Sequence, residues 1–146
     1  MFAENRKAHV NYEILEKFQA GMVLLGLEVQ SIKLGRIQLA GSYGVFKNNE
    51  LFLVGSTISP YQPKNTPLSY NPERSRKLLL QKRELNQLTG KVKERGLTLV
   101  PLKVYSSPTG KLKLEIGLAK GKKKWDKREA LKKRETEREM KRFLGA

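Results

Sequence analysis

Apolar residues fall into two rhythms along the chain, and the switches between them predict its elements. Asn11 followed by residues 12–20 reads as a short helix. Asn11 is a good N-cap, Ile14, Leu15 and Phe18 share a face, and Gly21 suits the position just past the end. Val23, Leu25, Leu27 and Val29 then alternate with Gly26, Glu28 and Gln30, the period of a strand whose apolar side meets a core and whose Glu28 faces outward. A further strand is expected near residues 36–40. Residues 42–47 and 50–54 flank Asn48-Asn49, and asparagine tolerates the positive φ of a tight hairpin turn. Pro60, Pro63, Pro67 and Pro72 deny ladder hydrogen bonds and mark residues 56–72 as an extended surface loop. Pro72 also suits the first turn of a helical region reaching about Arg95. There Leu78, Leu85, Leu88 and Val92 recur at helical spacing, with a break near Gln81 or Lys82. Gly96 ends this region, and residues 97–105 and 111–118 form a second strand pair around Ser106-Ser107-Pro108-Thr109-Gly110.

The order of helix, strands, helical region and a second strand pair predicts a mainly β fold with helices. A five-stranded barrel of the oligonucleotide-binding type fits it, because closure removes the edges of so short a sheet; an open sheet packed on helices is the alternative. The pattern divides the chain into a core over residues 1–121 and a tail over residues 122–146. In the tail Asp126 caps a helix with Glu129 as its third residue, and Glu129 with Lys133 and Glu137 with Lys141 are favourable pairs one turn apart. No apolar residue stands between Leu131 and Met140, so the tail lacks a stripe to dock on the core. Pairs worth ~0.2–0.5 kcal/mol each leave it a marginal helix when free, one that orders on a polyanion. A plain solubilising tail is the other reading.

Composition decides what kind of partner such a molecule meets. Across 146 residues, 30 Lys+Arg oppose 14 Asp+Glu for a net charge of +16. That excess repels itself unless a polyanion, nucleic acid or an anionic membrane, neutralises it. The tail carries a net +6 and residues 1–121 a net +10, so the core is equipped to bind a polyanion by itself. Cysteine is absent, which rules out disulfides and thiolate metal sites and suits a reducing cytoplasm. The longest apolar stretch, residues 22–27, is far too short to span a bilayer, and the first residues lack the basic start and apolar run of a signal peptide. A cytoplasmic protein is expected.

Catalytic chemistry finds little support. His9 is the only histidine, without cysteines or paired carboxylates nearby, so neither a metal site nor acid–base catalysis is indicated and no cofactor is implied. Residues 117–122 resemble a phosphate loop superficially, but Lys123 follows Lys122 where a serine or threonine is required. Three basic clusters remain: Arg6-Lys7, residues 74–77 with Lys82-Arg83, and residues 120–124. Each alone is a solvated face; brought together they make a phosphate-tracking surface, with Tyr12, Tyr61, Tyr70 and Trp125 as candidate stacking groups. Glu28 reads either as a solvated or ion-paired carboxylate or as an acceptor for base amino groups.

Four strings in order closely resemble the small protein B family, the transfer-messenger RNA-binding proteins of bacterial trans-translation. They are Asn5-Arg6-Lys7-Ala8-His9-Val10-Asn11-Tyr12, Gly26-Leu27-Glu28-Val29-Gln30-Ser31-Ile32-Lys33, Arg74-Ser75-Arg76-Lys77-Leu78-Leu79-Leu80 and Gly121-Lys122-Lys123-Lys124-Trp125-Asp126-Lys127-Arg128. The resemblance implies an oligonucleotide-binding barrel that holds the tRNA-like domain of transfer-messenger RNA, stands in for its missing anticodon arm, and helps deliver it to stalled ribosomes with elongation factor Tu. It further implies a monomer whose tail enters the empty decoding site and message channel as a helix. Carried over, Glu28, Leu79 and Gln81 lie at the RNA-contact surface, and Arg6, Lys7, His9, Lys33, Arg74, Arg76, Lys77, Lys120, Lys122 and Lys123, from the matching strings and the basic clusters, are expected to bind RNA with them. Those acting in the decoding site are Lys124, Trp125, Asp126, Lys127, Arg128, Phe143 and Leu144. Gln81 stands where members often carry Asn, and Trp125 where His is common; a tryptophan keeps a planar face for stacking and has no titratable role. A general basic scaffold, such as a ribosomal protein, and a basic helix on a membrane surface are the competing readings, the second lacking an apolar face in the tail.

Overall fold

In the computed structural model of the chain, residues 1–122 are described. They form, in order, β1 (Ala3–Glu4), α1 (Arg6–Asn11), β2 (Tyr12–Met22), α2 (Gly26–Lys33), β3 (Ile37–Gln38), β4 (Tyr43–Lys47), β5 (Glu50–Val54), β6 (Thr57–Ile58), a 3-10 turn at Pro63–Asn65, β7 (Arg76–Leu79), α3 (Lys82–Arg95), β8 (Thr98–Ser106) and β9 (Leu112–Gly121). The main sheet runs β1-β8-β4-β5-β7-β2-β9, and β8 also pairs with β9. That last pairing closes an antiparallel ring of β8, β4, β5, β7, β2 and β9, so the expected small β barrel is present, with six strands rather than five.

Two of the six strands, β2 and β7, come from segments expected to be helical. Residues 12–20 belong to β2, which pairs along its length with β9 from Tyr12↔Gly121 to Gly21↔Lys113. A register shift between Ile14 and Glu16 makes Leu15 the extra residue of a bulge. The bulge flips the side that even-numbered residues face. Ile14 therefore packs with Ala8, Val100, Leu102 and Ala119 in a small outer cluster under α1, whereas Phe18 and Ala20 pack into the barrel core. The spacing of Ile14 and Phe18 imitates a helix face because the strand changes sides between them.

Two further expectations are overturned. Residues 23–30 do not continue as a strand: α2 begins at Gly26, and its buried face is Glu28, Ser31 and Ile32, at helical spacing. The region from Pro72 to Arg95 is not one helix, since residues 76–79 form β7, in which Arg76 and Leu78 point inward. The break expected at Gln81 is where α3 starts, and Gly96 ends it at φ +63° with its N–H on the Val92 carbonyl, 3.1 Å away. The β4–β5 hairpin forms as expected, with Asn48 and Asn49 at φ +52° and +62°.

The ring closes between β4 and β8 through one residue pair, Gly44↔Leu99. A Cβ on Gly44 would lie 2.9 Å from the Leu99 Cβ and 3.3 Å from the Leu51 Cδ1. Gly44→Ala is expected to cost about 1–3 kcal/mol in a urea unfolding experiment, the usual penalty for forcing atoms into a packed core.

Candidate nucleic-acid interface

Glu28, expected at the surface, is fully buried. As the third residue of α2 it takes the Leu25 N–H on Oε1 at 2.8 Å, which caps the helix start and places a negative charge at its positive end. Arg74 Nη2 donates to the same oxygen. Arg76, also fully buried, donates to Oε2 from Nη2 at 2.6 Å and from Nε at 3.0 Å, and its remaining N–H groups reach the Ser56 and Pro72 carbonyls at 3.1 and 2.9 Å. Tyr70 Oη lies 3.2 Å from Glu28 Oε2 and 2.9 Å from the Ile58 carbonyl. Burial pushes the Glu28 carboxyl up, but hydrogen bonds from Arg74, Leu25 and Arg76 and the Arg76 charge outweigh it and hold its pKa below 4.5. Burial, and then the Glu28 charge, push the Tyr70 hydroxyl above its usual range. Direct RNA contact by Glu28 and Arg76, expected from the sequence, is corrected accordingly: neither side chain offers surface, and together they clamp α2 to β6, β7 and the loop between them.

The clamp sets the wall of a groove. Leu24 and Val29, just before and within α2, stand with Met22 at the end of β2 and Leu79 at the end of β7 around an apolar floor; Lys33, Lys111 and Lys113 rim it, enclosing about 440 Å³. Leu79 is 49% exposed, a large apolar side chain left in water beside three lysines. A base laid on Leu79, Met22 and Val29 would bury its face while flanking phosphates meet ammonium groups, the combination single-stranded RNA requires. Two residues expected in an interface, Lys33 and Leu79, are brought together here. Lys111 and Lys113 were not expected; their i, i+2 spacing where β9 begins is a strand signal, but Gly21↔Lys113, which carries them to Leu79, is a long-range pairing. Gln81, exposed and two residues beyond Leu79, is the N-cap residue of α3.

The other expected residues lie elsewhere. Lys77 pairs with Glu50 at 3.0 Å. Arg6 lies 3.7 Å from Glu4, while Lys7 and His9 stand on α1 at the opposite end of β2 from the groove. Lys120 is exposed near the end of β9. Lys122 bonds through its N–H to the Asn11 carbonyl at 3.0 Å and through Nζ to the His9 carbonyl at 3.1 Å. Lys122 is thereby held beside α1, which carries Arg6 and Lys7, so the described part of the third basic cluster meets the first, while Arg76 and Lys77 of the second are paired with Glu28 and Glu50. Lys123, Lys124, Trp125, Asp126, Lys127, Arg128, Phe143 and Leu144 lie outside the described residues. No helix among the described residues is long and apolar enough to cross a membrane.

Known proteins resemble this chain over nearly all its length. The family model for SmpB protein matches residues 2–146. The SsrA-binding protein of Syntrophobacter fumaroxidans is 52% identical across 98% of this chain and 88% of its own. That of Carboxydothermus hydrogenoformans is 51% identical across 100% of this chain and 97% of its own. A chain solved in "tmRNA-SmpB: a journey to the center of the bacterial ribosome" superposes with a TM-score of 0.68 at 46% identity, covering 88% of this chain and 93% of that one. A closed β barrel with a lysine-rimmed groove, matched in sequence from residue 2 to residue 146, places the chain in the SmpB protein family.

Proposed function

We propose that this chain binds transfer-messenger RNA, the SsrA RNA, and carries it to stalled ribosomes for trans-translation in the cytoplasm. The observation that carries this reading is the groove: one large exposed leucine, an apolar floor and three lysines at one end of a basic barrel. Relatives at about half identity are named SsrA-binding protein, and the solved neighbour concerns the bacterial ribosome. The core takes the place of the anticodon arm that the tRNA-like domain lacks, and residues 122–146 test the decoding site and message channel. The protein works as a monomer in a delivery complex with elongation factor Tu. Within the core, Lys33, Leu79 and Gln81 touch RNA, while Glu28 and Arg76 act through position, holding α2 at the height that sets the groove.

Binding measured in competition with bulk tRNA at fixed salt tests the reading. Wild type is expected to prefer transfer-messenger RNA. Lys111→Ala with Lys113→Ala is expected to weaken binding and to lower the slope of log affinity against log salt by roughly 0.7–0.9 for each phosphate contact removed. Leu79→Ala should weaken binding without changing that slope. Equal affinity for unrelated RNAs would instead mark a general basic scaffold.

A further inference from the structure

The outer face of the sheet continues past the groove and carries an aromatic side chain that the groove does not use. Strand register puts Tyr105 of β8 opposite Lys113 of β9, Lys113 opposite Gly21 of β2, and Gly21 opposite Leu79 of β7. Residues paired across adjacent antiparallel strands point to the same side of a sheet, so these four form one row. Their chain neighbours Val104, Leu114, Ala20 and Leu78 point the other way, into the core. At ~4.8 Å per strand the row runs about 14 Å from the aromatic ring's backbone to that of the exposed leucine. Gly21 leaves the ground between Lys113 and Leu79 bare: a Cβ placed there would find the Leu79 side chain nearest, at 3.4 Å.

Tyr105, half-buried, lies across the sheet rather than standing up from it. Its Oη donates to Gln19 Oε1 on β2, two strands away across β9. Two strand spacings come to about 10 Å, more than a tyrosine pointing straight out can bridge, so the ring leans over β9. In that posture one face meets the strand and the other meets solvent. The Gln19 Nε2 donates in turn to Glu115 Oε2 at 3.3 Å. Lys103, whose Nζ lies 5.7 Å from the ring centre, is 3.7 Å from the same carboxylate oxygen. The ring is therefore held in place by its neighbours, and the Lys103 charge is matched by Glu115. Lys113, between the ring and the groove, has no ion pair among the described residues.

We infer that the RNA strand held in the groove lays its next base on the Tyr105 ring, with Lys113 taking the phosphate between the two bases. The inference rests on the reading that the groove holds transfer-messenger RNA. It adds an aromatic stacking group to a site otherwise built of aliphatic side chains and lysines, and it gives the strand a path, from Leu79 over the bare ground at Gly21 toward β8. A fixed ring beside an unmatched cation is the combination that single-strand recognition uses. Both nucleotides are unpaired, so they belong to a loop of the RNA rather than to a helical stem.

Full-length protein with Tyr105→Leu, Tyr105→Phe or Leu79→Ala tests this by gel-shift affinity for transfer-messenger RNA at fixed salt, with urea unfolding of each variant. Leucine keeps an apolar side chain on β8 but has no π face; it is expected to weaken binding about tenfold, the scale of one lost base stack, without changing the salt slope. Phenylalanine keeps the ring, gives up the bond to Gln19, and is expected to retain wild-type affinity. Equal affinity for Tyr105→Leu and wild type, or equal losses for Tyr105→Leu and Tyr105→Phe, overturns the inference. Wild-type protein with ring-labelled tyrosine gives a measurement that depends on no variant's fold. On addition of the tRNA-like domain the Tyr105 ring protons, assigned through Tyr105→Phe, are expected to move upfield under the stacked base; unmoved signals overturn the inference. Weakened binding by Leu79→Ala with none by Tyr105→Leu overturns it while the reading of the groove stands. Wild type without preference for transfer-messenger RNA over bulk tRNA removes the reading of the groove, and the inference with it.

Discussion

Arg76→Met is expected to lower the stability of the core by about 3–5 kcal/mol, the cost of leaving the partner of a buried ion pair uncompensated. Arg76 has no exposure, and its loss would strand the Glu28 carboxylate, also without exposure, with fewer donors. The Ser56 and Pro72 carbonyls would lose their guanidinium partner at the same time. Urea unfolding at neutral pH should show the loss as a lower midpoint. Glu28→Leu with Arg76→Met is expected to cost less than the two single changes together, since each single change leaves a charge or dipole that the pair removes. The same network predicts an acid limb. The folded pKa of Glu28 lies below the ordinary 4.5, so its contribution is fully present above that value and is lost as pH falls through the lower folded pKa. Stability measured from pH 6 to pH 3 should fall below about pH 4.5 in wild type, and Glu28→Gln should be less stable at pH 6 with a shallower decline.

Ending the chain at Lys122 is expected to abolish peptide tagging on stalled ribosomes while leaving transfer-messenger RNA binding nearly intact. β9 ends at Gly121, and Lys122 retains both its bonds to α1, so the truncation removes no strand from the ring. It removes ten Lys+Arg and five Asp+Glu, a modest change to the long-range field that salt largely screens. Gel-shift affinity and a tagging assay on the same preparation separate the two jobs. Loss of binding together with tagging would contradict the division into core and tail.

The features legible in the sequence were those written in local chemistry. Asn48-Asn49 announced its hairpin through positive φ, Gly96 its helix end, and residues 97–105 and 111–118 their strands through short aliphatic segments on either side of a turn, the second alternating strictly with Lys, Glu and Gly. What misled was charge in the interior. Glu28 on a helix and Arg76 on a strand each occupy a core-facing position, and a polar residue counted as outward-facing inverts the apparent period: α2 read as a strand and β7 as part of a helix. Neither error is visible until the partner is known, and the partners lie 48 positions apart. The bulge at Leu15 produced the third error by turning a strand over within its length. The groove was half legible: Leu79 and Lys33 came with the family motifs, but Lys111 and Lys113 reach it through strand pairing between residues some ninety positions apart.

The single-pair closure at Gly44 gives the barrel an unevenly sealed wall. The ladder joining β2 to β9 continues over most of both strands, whereas β4 meets β8 at one position. Opening fluctuations should begin along that thin seam, so amides of β4 should exchange with solvent before those of β9. Load applied between the groove and the tail root would run down the long ladder and bypass the seam. The barrel is therefore stiff along the axis joining its two ends and compliant across it.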